Sequence, residues 1–290
     1  MSLIYKNEFT PLSNYGVYPP YAEGAYIEEY FATRFYSERP KIDRQLINVF
    51  WTPYYLANKI NRNTISEDEP LQHYLNSLTN FEKYFLVCQH DDAPLHKLPN
   101  DTLVFSAGGM YDGDNVIPIP LICSKIPNHL IPIRNKQDLF CSFVGSHNQP
   151  IRHELINAIK GKPDTYVWSD NWNPNVSEDN LNRFLMITSD SEFCLCPRGY
   201  GKTSFRLYEA MQLGSIPVYI SDDFYLPWSD ELDWSDFAVL IKREQIPDLY
   251  DILKSISEDK KDSMRQNIKH IYSDYFTLNG TYDNIIKRLK

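Results

Sequence analysis

The sequence predicts an α/β fold made of two domains, each containing a largely parallel sheet. Apolar runs of strand length alternate with segments of helical spacing from Gln45 onward, and this alternation is typical of parallel sheets covered by helices. The chain has 290 residues, which suits two such domains with one core each. A loop-rich stretch at 128–135 is the expected linker, so we assign residues 1–133 to an N-terminal domain and residues 134–290 to a C-terminal domain.

The N-terminal domain opens with a segment rich in Tyr and Pro, in which only residues 25–36 have helical spacing. Beyond it, short apolar runs bounded by polar or turn residues predict strands, and one segment that begins with proline predicts a helix. These later elements are a strand at 46–52, a helix at 70–81, and strands at 83–89, 101–107 and 116–122.

The C-terminal domain repeats the alternation with longer helices. We expect its last helix to cross back to the N-terminal domain. The predicted strands are 138–145, 165–169, 193–196, 215–219 and 237–242, and the predicted helices are 152–161, 180–189, 203–213, 246–257 and 259–290.

A loop between two buried strands has the composition of a phosphate site. The strand at 193–196 is ended by Pro197 and a glycine-containing loop, and a helix follows that Thr203 or Ser204 can cap. Backbone N–H groups at the start of a helix attract anions, as do guanidinium and ammonium groups beside them. The cations next to this loop are Arg198, Lys202 and Arg206. The sequence therefore predicts a nucleotide-diphosphate site here.

A P-loop is the competing interpretation, because Gly201, Lys202 and Thr203 match the end of that motif. The motif needs another glycine five positions before Gly201, where this chain has Cys196. We therefore reject an ATPase or GTPase.

The stretch FCLCPRGYGKTSFRLYEAMQLGSIPVYISDDFYLPW and the following DELDWSDFAVLIKREQIPDL resemble the C-terminal signature of the exostosin glycosyltransferases, glycosyltransferase family 47. The resemblance is dense from Leu139 to Leu253 and includes LFCSFVGSHNQPIRHEL; weaker matches are AYIEEYF, FLVCQHDDAP and TLVFSAGG. It implies a GT-B fold, in which two Rossmann-like domains face a cleft, and a UDP-sugar as donor substrate. By its size the chain resembles the short, soluble members found in viruses and microbes.

The donor site predicted from the loop and the resemblance uses both main-chain and charged groups. The resemblance implies that Arg152 contacts the diphosphate. Glu209 lies one turn into the helix, where a carboxylate can accept hydrogen bonds from both ribose hydroxyls, and an unpaired buried carboxylate would be costly. The predicted nucleotide-sugar-binding residues are Arg152, Gly199, Tyr200, Lys202, Thr203, Ser204, Arg206 and Glu209.

Transfer with inversion needs a base that takes the proton of the acceptor hydroxyl, and in this architecture the N-terminal domain must supply it. Asp91 and Asp92 follow a predicted strand directly, with His90 beside them, and the resemblance adds Glu29. We predict Asp92, Asp91 or Glu29 as the catalytic base. Asp222 and Asp223 end another strand at the cleft side, where they either contact the donor or form a turn.

Other features exclude functions or add expectations. A formal charge of −9 and a pI near 5.3 argue against nucleic-acid binding. Five cysteines, mostly inside apolar runs, fit a reduced, cytoplasmic protein, and no run is long enough to span a membrane. The motif Asp112-Gly113-Asp114 favours a turn over a Mn²⁺ site, so we expect no metal and no cofactor. Aromatic side chains that could stack on sugars are Tyr18, Tyr21, Trp168 and Trp172.

Together these observations predict an inverting, metal-independent glycosyltransferase that moves a sugar from a UDP-sugar to a hydroxyl of an oligosaccharide or glycan, with a weak preference for UDP-xylose. Two alternatives stay open at this point. One is a non-catalytic protein that binds UDP-sugars or glycans with the same pocket, and the other is a metal-dependent transferase of the GT-A fold.

Overall fold

The computed structural model describes residues 7–11, 26–65, 69–78, 83–122, 125–133, 137–173 and 175–290. These residues form two sheets, one of four strands and one of five, in which every strand pairing is parallel. The prediction of two parallel-sheet α/β units is confirmed. Tyr18, Tyr21 and Cys123 lie outside the described residues.

The N-terminal sheet has its strands in chain order, and its central strands β2 and β3 are almost entirely buried. Its strands are β1 (Gln45–Leu46), β2 (Tyr84–Cys88), β3 (Thr102–Ser106) and β4 (Val116–Pro118), and its helices are α1 (Ile27–Glu38), α2 (Trp51–Asn58) and α3 (Pro70–Ser77). The predicted helix at 25–36 corresponds to α1. No helix separates β2 from β3 in the described residues, so this crossover is a long loop.

The predicted strand at 46–52 is wrong except at Leu46. The chain is extended only at Gln45–Leu46, and α2 begins at Trp51. Pro53 lies in the first turn of α2, where the backbone N–H that proline lacks has no partner within the helix anyway. The buried side chains of α2 are Trp51, Thr52, Pro53, Tyr54 and Tyr55, and only the first two belong to the apolar run predicted as a strand.

The C-terminal sheet has the order β6-β5-β7-β8-β9, so the chain leaves β5 for one neighbour and then returns to pair with β5 on the other side. Its strands are β5 (Leu139–Ser146), β6 (Thr165–Asp170), β7 (Ser191–Pro197), β8 (Ile216–Ser221) and β9 (Val239–Lys242), and its helices are α4 (Pro150–Ile159), α5 (Glu178–Ser189), α6 (Arg206–Gln212), α7 (Leu249–Lys254), α8 (Glu258–Tyr275) and α9 (Leu278–Leu289). Each predicted strand and helix of this half is present.

Two helical predictions need smaller corrections. The segment at 246–257 begins as a 3₁₀ turn at Arg243–Asp248 that contains Pro247, and only α7 is α-helical. The segment at 259–290 is two helices rather than one. Thr277 separates them, because its hydroxyl accepts a hydrogen bond from the backbone N–H of Gly280 and so caps α9.

The two sheets share one apolar core. Phe85 and Phe105 of the N-terminal sheet belong to the same buried cluster as Cys196 and Tyr219 of the C-terminal sheet. Helix α9 contacts α1, where Arg34 Nη2 lies 2.8 Å from an Asp283 carboxylate oxygen. The division of the chain at residues 133 and 134 stays a prediction, since residues 134–136 lie outside the described part.

The described cysteines are buried thiols without disulfide bonds. They are Cys88, Cys141, Cys194 and Cys196. Among the described residues, no helix combines the length and apolar character of a transmembrane span.

Candidate active site

A cavity of about 720 Å³ lies between the two sheets. It adjoins the carboxyl ends of β5 and β7, the two strands between which the chain reverses its direction across the C-terminal sheet. Ligands of open α/β sheets bind at such a reversal, because the loops on either side diverge and leave a crevice. The cavity therefore lies where the sheet order predicts a ligand site.

Arg206 is the cation that the fold leaves available in this cavity. Its guanidinium carbon lies 5.5 Å from the ring centre of Phe143 and 5.2 Å from that of Phe184, and its buried Nε has no hydrogen-bond partner among the described residues. A Cβ at Gly145 would lie 2.7 Å from Arg206 Nη1. Gly145 thus makes room for the guanidinium, a role that the sequence pattern did not reveal.

Arg152 lines the same cavity but is tied to the main chain. Its Nη1 donates to the carbonyl of Ser146 at 2.9 Å, its Nε to the carbonyl of Arg198 at 3.1 Å, and its Nη2 to the carbonyl of Pro197 at 3.4 Å. The guanidinium thereby joins the ends of β5 and β7. Arg152 is 7% exposed. With these hydrogen bonds it stabilises the strand ends beside the cavity, and it also brings a positive charge there.

The other two cations of the loop pair with carboxylates and do not line the cavity. Arg198 Nε lies 2.5 Å from an oxygen of Asp222, and Lys202 Nζ lies 2.8 Å from an oxygen of Asp223. Asp222 also faces Arg243 at 3.3 Å. The two aspartates thus neutralise loop cations in this structure.

The start of α6 differs from the predicted cap. The N-cap residue is Phe205, without a side-chain cap, and Ser204 Oγ only accepts a 3.4 Å hydrogen bond from the N–H of Arg206. At seven residues α6 is short, so little of the expected anion attraction comes from its dipole. Gly199, Thr203 and Ser204 still line the cavity, and their contacts with a donor stay a prediction.

Glu209 and Tyr200 border the cavity at different depths. Glu209 is 7% exposed and lies on the cavity side of α6, as the apolar spacing of that helix predicted. Tyr200 is 54% exposed, and its hydroxyl donates to Asp92 Oδ1 at 3.2 Å across the cleft. Their roles in binding a nucleotide sugar stay predictions.

The facing wall of the cavity comes from the loop after β2, where His90, Asp91 and Asp92 are adjacent. Burial raises the pKa of Asp91 to about 7, and the neighbouring Asp92 carboxylate adds to this shift. Burial lowers the pKa of His90, whose Nδ1 accepts a hydrogen bond from the N–H of Asp92. The fold thus brings these carboxylates, the carboxylate wall, opposite Arg152 and Arg206, which with the ends of β5 and β7 form the arginine wall.

Glu29, the third candidate for the base, lies in the first turn of α1 and is not among the residues lining the cavity. Its neighbour Glu28 is the buried carboxylate of this helix, at 2% exposure. Glu28 Oε1 accepts hydrogen bonds from Thr52 and from the N–H of Gln89, so Glu28 ties α1 to α2 and to the end of β2. The helical spacing of Ile27 with Phe31 could have indicated this buried position.

The third side of the cavity is formed by the end of β6 and the polar loop that follows it. Trp168 and Trp172 line it, together with side-chain amides at Asn171 and Asn173. Arg183 lies over the Trp168 ring at 4.6 Å from its centre, and Trp172 is 55% exposed. A sugar-stacking role for these tryptophans stays a prediction.

Asp112 and Asp114 do not line the cavity. Their segment passes through a turn at residues 114–115, which agrees with the turn interpretation. Across the described ranges, no group of three or more His, Cys, Asp or Glu side chains is arranged to hold a metal ion. Independence from metals and from cofactors stays a prediction.

Two parallel-sheet units that face a common cleft, with the candidate site between them, define the GT-B class of glycosyltransferase fold. The GT-A alternative is therefore wrong for this chain. The Exostosin GT47 domain matches residues 71–256, which is well over half of the chain, and the protein belongs to that family.

Relatives from plants match about half of the chain. A probable glucuronosyltransferase of rice, GUT1, is 33% identical over 153 residues, which is 50% of this chain and 36% of the rice protein. A probable glycosyltransferase of Arabidopsis thaliana is 42% identical over 138 residues, 47% of this chain and 27% of that protein. A probable beta-1,4-xylosyltransferase of the same plant, IRX10L, is 31% identical over 152 residues, 50% of this chain and 36% of that protein. The chain thus matches about a third of the length of these relatives.

Among solved structures, HepE from Anabaena in complex with UDP-glucose has a TM-score of 0.45 and 13% sequence identity, with 72% of both chains covered.

Proposed function

We propose that this protein is an inverting glycosyltransferase that transfers a sugar from a UDP-sugar to a carbohydrate hydroxyl. The observation that carries the proposal is the pairing of opposite chemistry across one cavity: Arg206 and Arg152 line one wall, and Asp91 and Asp92 line the other. Sugar transfer from a nucleotide needs both, because negative charge develops on the leaving diphosphate while a proton leaves the acceptor hydroxyl.

On the donor side, Arg206 is the group that we expect to bind the diphosphate. A guanidinium whose buried Nε lacks an acceptor gains a charge-assisted hydrogen bond when a phosphate oxygen arrives. The flanking rings of Phe143 and Phe184 hold the guanidinium plane in place, so little order has to be gained on binding. Arg152 fixes the strand ends that shape the expected phosphate pocket, and we expect Glu209, which lines the cavity, to accept hydrogen bonds from the ribose.

On the acceptor side, we assign the base to Asp91. Its pKa of about 7 lets the carboxylate be ionised in the resting enzyme yet accept a proton during the reaction. The acceptor oxygen forms its bond to the anomeric carbon as the bond from that carbon to the UDP oxygen breaks, and the hydroxyl proton goes to Asp91. His90 is a weaker choice because its Nδ1 already accepts a hydrogen bond, and Asp92 because it faces Tyr200 and Arg62.

The donor sugar that fits the cavity best is a neutral one. Among the described residues that line the cavity, the only Arg or Lys side chains are Arg152 and Arg206, and both belong to the wall assigned to the diphosphate. A glucuronate would bring a further carboxylate that needs a cation of its own. Of the activities named for the plant relatives, xylosyl transfer therefore suits this cavity better than glucuronosyl transfer, and we propose UDP-xylose as the donor.

The test is release of UDP from UDP-xylose and from UDP-glucuronate, each with and without a panel of oligosaccharide acceptors, with products identified by mass spectrometry. We expect acceptor-dependent release from UDP-xylose, and addition of EDTA should not change it. Tight UDP binding without transfer to any acceptor would favour the non-catalytic alternative. Faster turnover of UDP-glucuronate would overturn the donor assignment.

A further inference from the structure

The loop that follows β7 packs directly on the loop that carries the candidate base. A Cβ built on Gly201 would lie 2.3 Å from Asp91 Oδ1 and 2.5 Å from the carbonyl oxygen of Gly108. The second of these atoms belongs to the main chain and cannot swing away as a side chain would. The space above Gly201 is therefore filled by Asp91 and by the backbone beside it.

Glycine at this position is needed for space rather than for backbone conformation. Among the glycines that the structure describes, those of positive φ are Gly109, Gly161 and Gly214, and Gly201 is not one of them. Alanine can adopt the backbone angles of Gly201 without strain, so any effect of alanine there comes from contact with its neighbours. The requirement for glycine thus points to the close approach of the two loops.

Further bonds link these two loops through the segment after β3, which contains Gly108 and Met110. The N–H of Lys202 donates to the carbonyl of Gly108 at 3.2 Å, and the N–H of Met110 donates to the carbonyl of Asp91 at 3.2 Å. The Tyr200 hydroxyl donates to Asp92 Oδ1 at 3.2 Å. Each carboxylate of the candidate base loop therefore has a specific neighbour in the loop after β7.

We propose that Gly201 and Tyr200 are positioning residues, which hold the carboxylates of Asp91 and Asp92 at the cleft by direct contact between the two loops. This inference rests on the proposed function, since it takes Asp91 as the base. It makes one loop responsible both for lining the donor cavity and for shielding the base from water.

The charge state of Asp91 depends on the titratable and charged groups that surround it. On its own loop these are His90 and Asp92, and at the end of β2 lies the Cys88 thiol, whose pKa is raised by burial and, to a smaller extent, by the charges of Glu28 and Asp91. From the opposite loop, Tyr200 is the titratable side chain beside Asp91. Arg62 is 3.5 Å from Asp92 and so acts on Asp91 only through that neighbour.

The experiment compares Gly201→Ala, Tyr200→Phe and Asp91→Asn in the full chain. In Gly201→Ala the added methyl group separates the loops and admits water, so kcat should fall by about a hundredfold while Kd for UDP changes by less than about threefold. Exposure to water lowers the pKa of a buried carboxyl, so the acidic limb of the kcat/KM profile should move to lower pH by about one unit. Tyr200→Phe removes only the hydroxyl and should lower kcat by about fivefold with KM unchanged.

A double variant separates positioning from a general structural effect. If Gly201 acts through Asp91, Gly201→Ala should cause no further loss of residual transfer in the Asp91→Asn background. Additive losses in the double variant, or unchanged kcat and pH profile in both single variants, would overturn the proposal. If Gly201→Ala does not fold, kcat and the pH profile of Tyr200→Phe decide the question. Full transfer by Asp91→Asn would instead refute the base assigned under the proposed function.

Discussion

The two walls of the cleft depend on the sequence in different ways. The arginine wall is built from the ends of β5 and β7 and from the start of α6, and most of its residues lie in one continuous stretch. The carboxylate wall is a few residues of a long loop between β2 and β3. A local motif predicts the first wall, whereas the second is recognisable only once the fold places it opposite the first.

The arginine wall also shows that the number of cationic residues in a loop overestimates the number that can bind a phosphate. Arg206 and Lys202 are four positions apart, yet Arg206 lines the cavity with its guanidinium against two aromatic rings, and Lys202 pairs with Asp223 outside the cavity. Charge is available to a ligand only where the protein has not already neutralised it. The two walls can therefore be tested separately. For each wall, one variant should change activity or UDP affinity strongly, and a matched variant should change it much less.

The largest effect is expected on the carboxylate wall. Asp91→Asn keeps the shape of the side chain but cannot accept the proton, so transfer should fall by roughly a thousandfold. UDP affinity, measured by calorimetry, should stay within a factor of about three, because the arginine wall is intact. A matched Asp92→Asn variant should lose much less activity; equal losses would show that the two carboxylates act as a unit.

On the arginine wall, Arg206→Met should raise Kd for UDP by about a hundredfold, equivalent to roughly 3 kcal/mol, since it removes the charge that the cavity offers to the diphosphate. Titration calorimetry with UDP measures this. Lys202→Met is the matched comparison in the same loop. If both variants weaken UDP binding equally, Lys202 leaves Asp223 when the ligand binds.

Arg152→Met should act mainly on folding. The substitution leaves the carbonyls of Ser146, Pro197 and Arg198 without their donor, and we expect a loss of about 3 kcal/mol in the free energy of unfolding. Urea denaturation with and without UDP checks this. A variant with wild-type stability and abolished UDP binding would instead make Arg152 a ligand of the diphosphate.

The pH dependence of stability gives a smaller effect with a definite sign. The pKa of Asp91 is about 7 in the folded protein against an ordinary value of 3.8, so the folded state holds this proton more tightly than the unfolded state does. The free energy of unfolding should therefore decrease as pH rises from about 4 to about 7, and the Asp91 contribution should be constant above that. Urea midpoints at pH 5 and pH 8 should differ less in Asp91→Asn than in the wild type. If the two proteins show the same difference between pH 5 and pH 8, Asp91 is exposed to water and its pKa is not raised.

The smallest effect is expected for Lys202→Met itself. The Lys202–Asp223 pair is partly exposed, and such pairs contribute about 1 kcal/mol or less. Thermal unfolding should shift little, and that shift should vanish in high salt.

The sequence predicts the C-terminal half closely because its strands and helices have clear periods and the loop after β7 has turn residues at defined places. It fails where a short apolar run lacks a period, as at Trp51, or where two adjacent acids occupy different faces of one helix, as at Glu28 and Glu29. The partners of Arg198 and Lys202 come from the end of β8, 21 or more positions away, and no local pattern encodes them.

The shared apolar cluster between the sheets has a consequence for how substrates enter. Enzymes with two lobes commonly open by a hinge, but here such a movement would pull Phe105 and Tyr219 out of a common hydrophobic interior and into water. We therefore expect substrates to enter and leave past the exposed side chain of Tyr200, without separation of the two sheets.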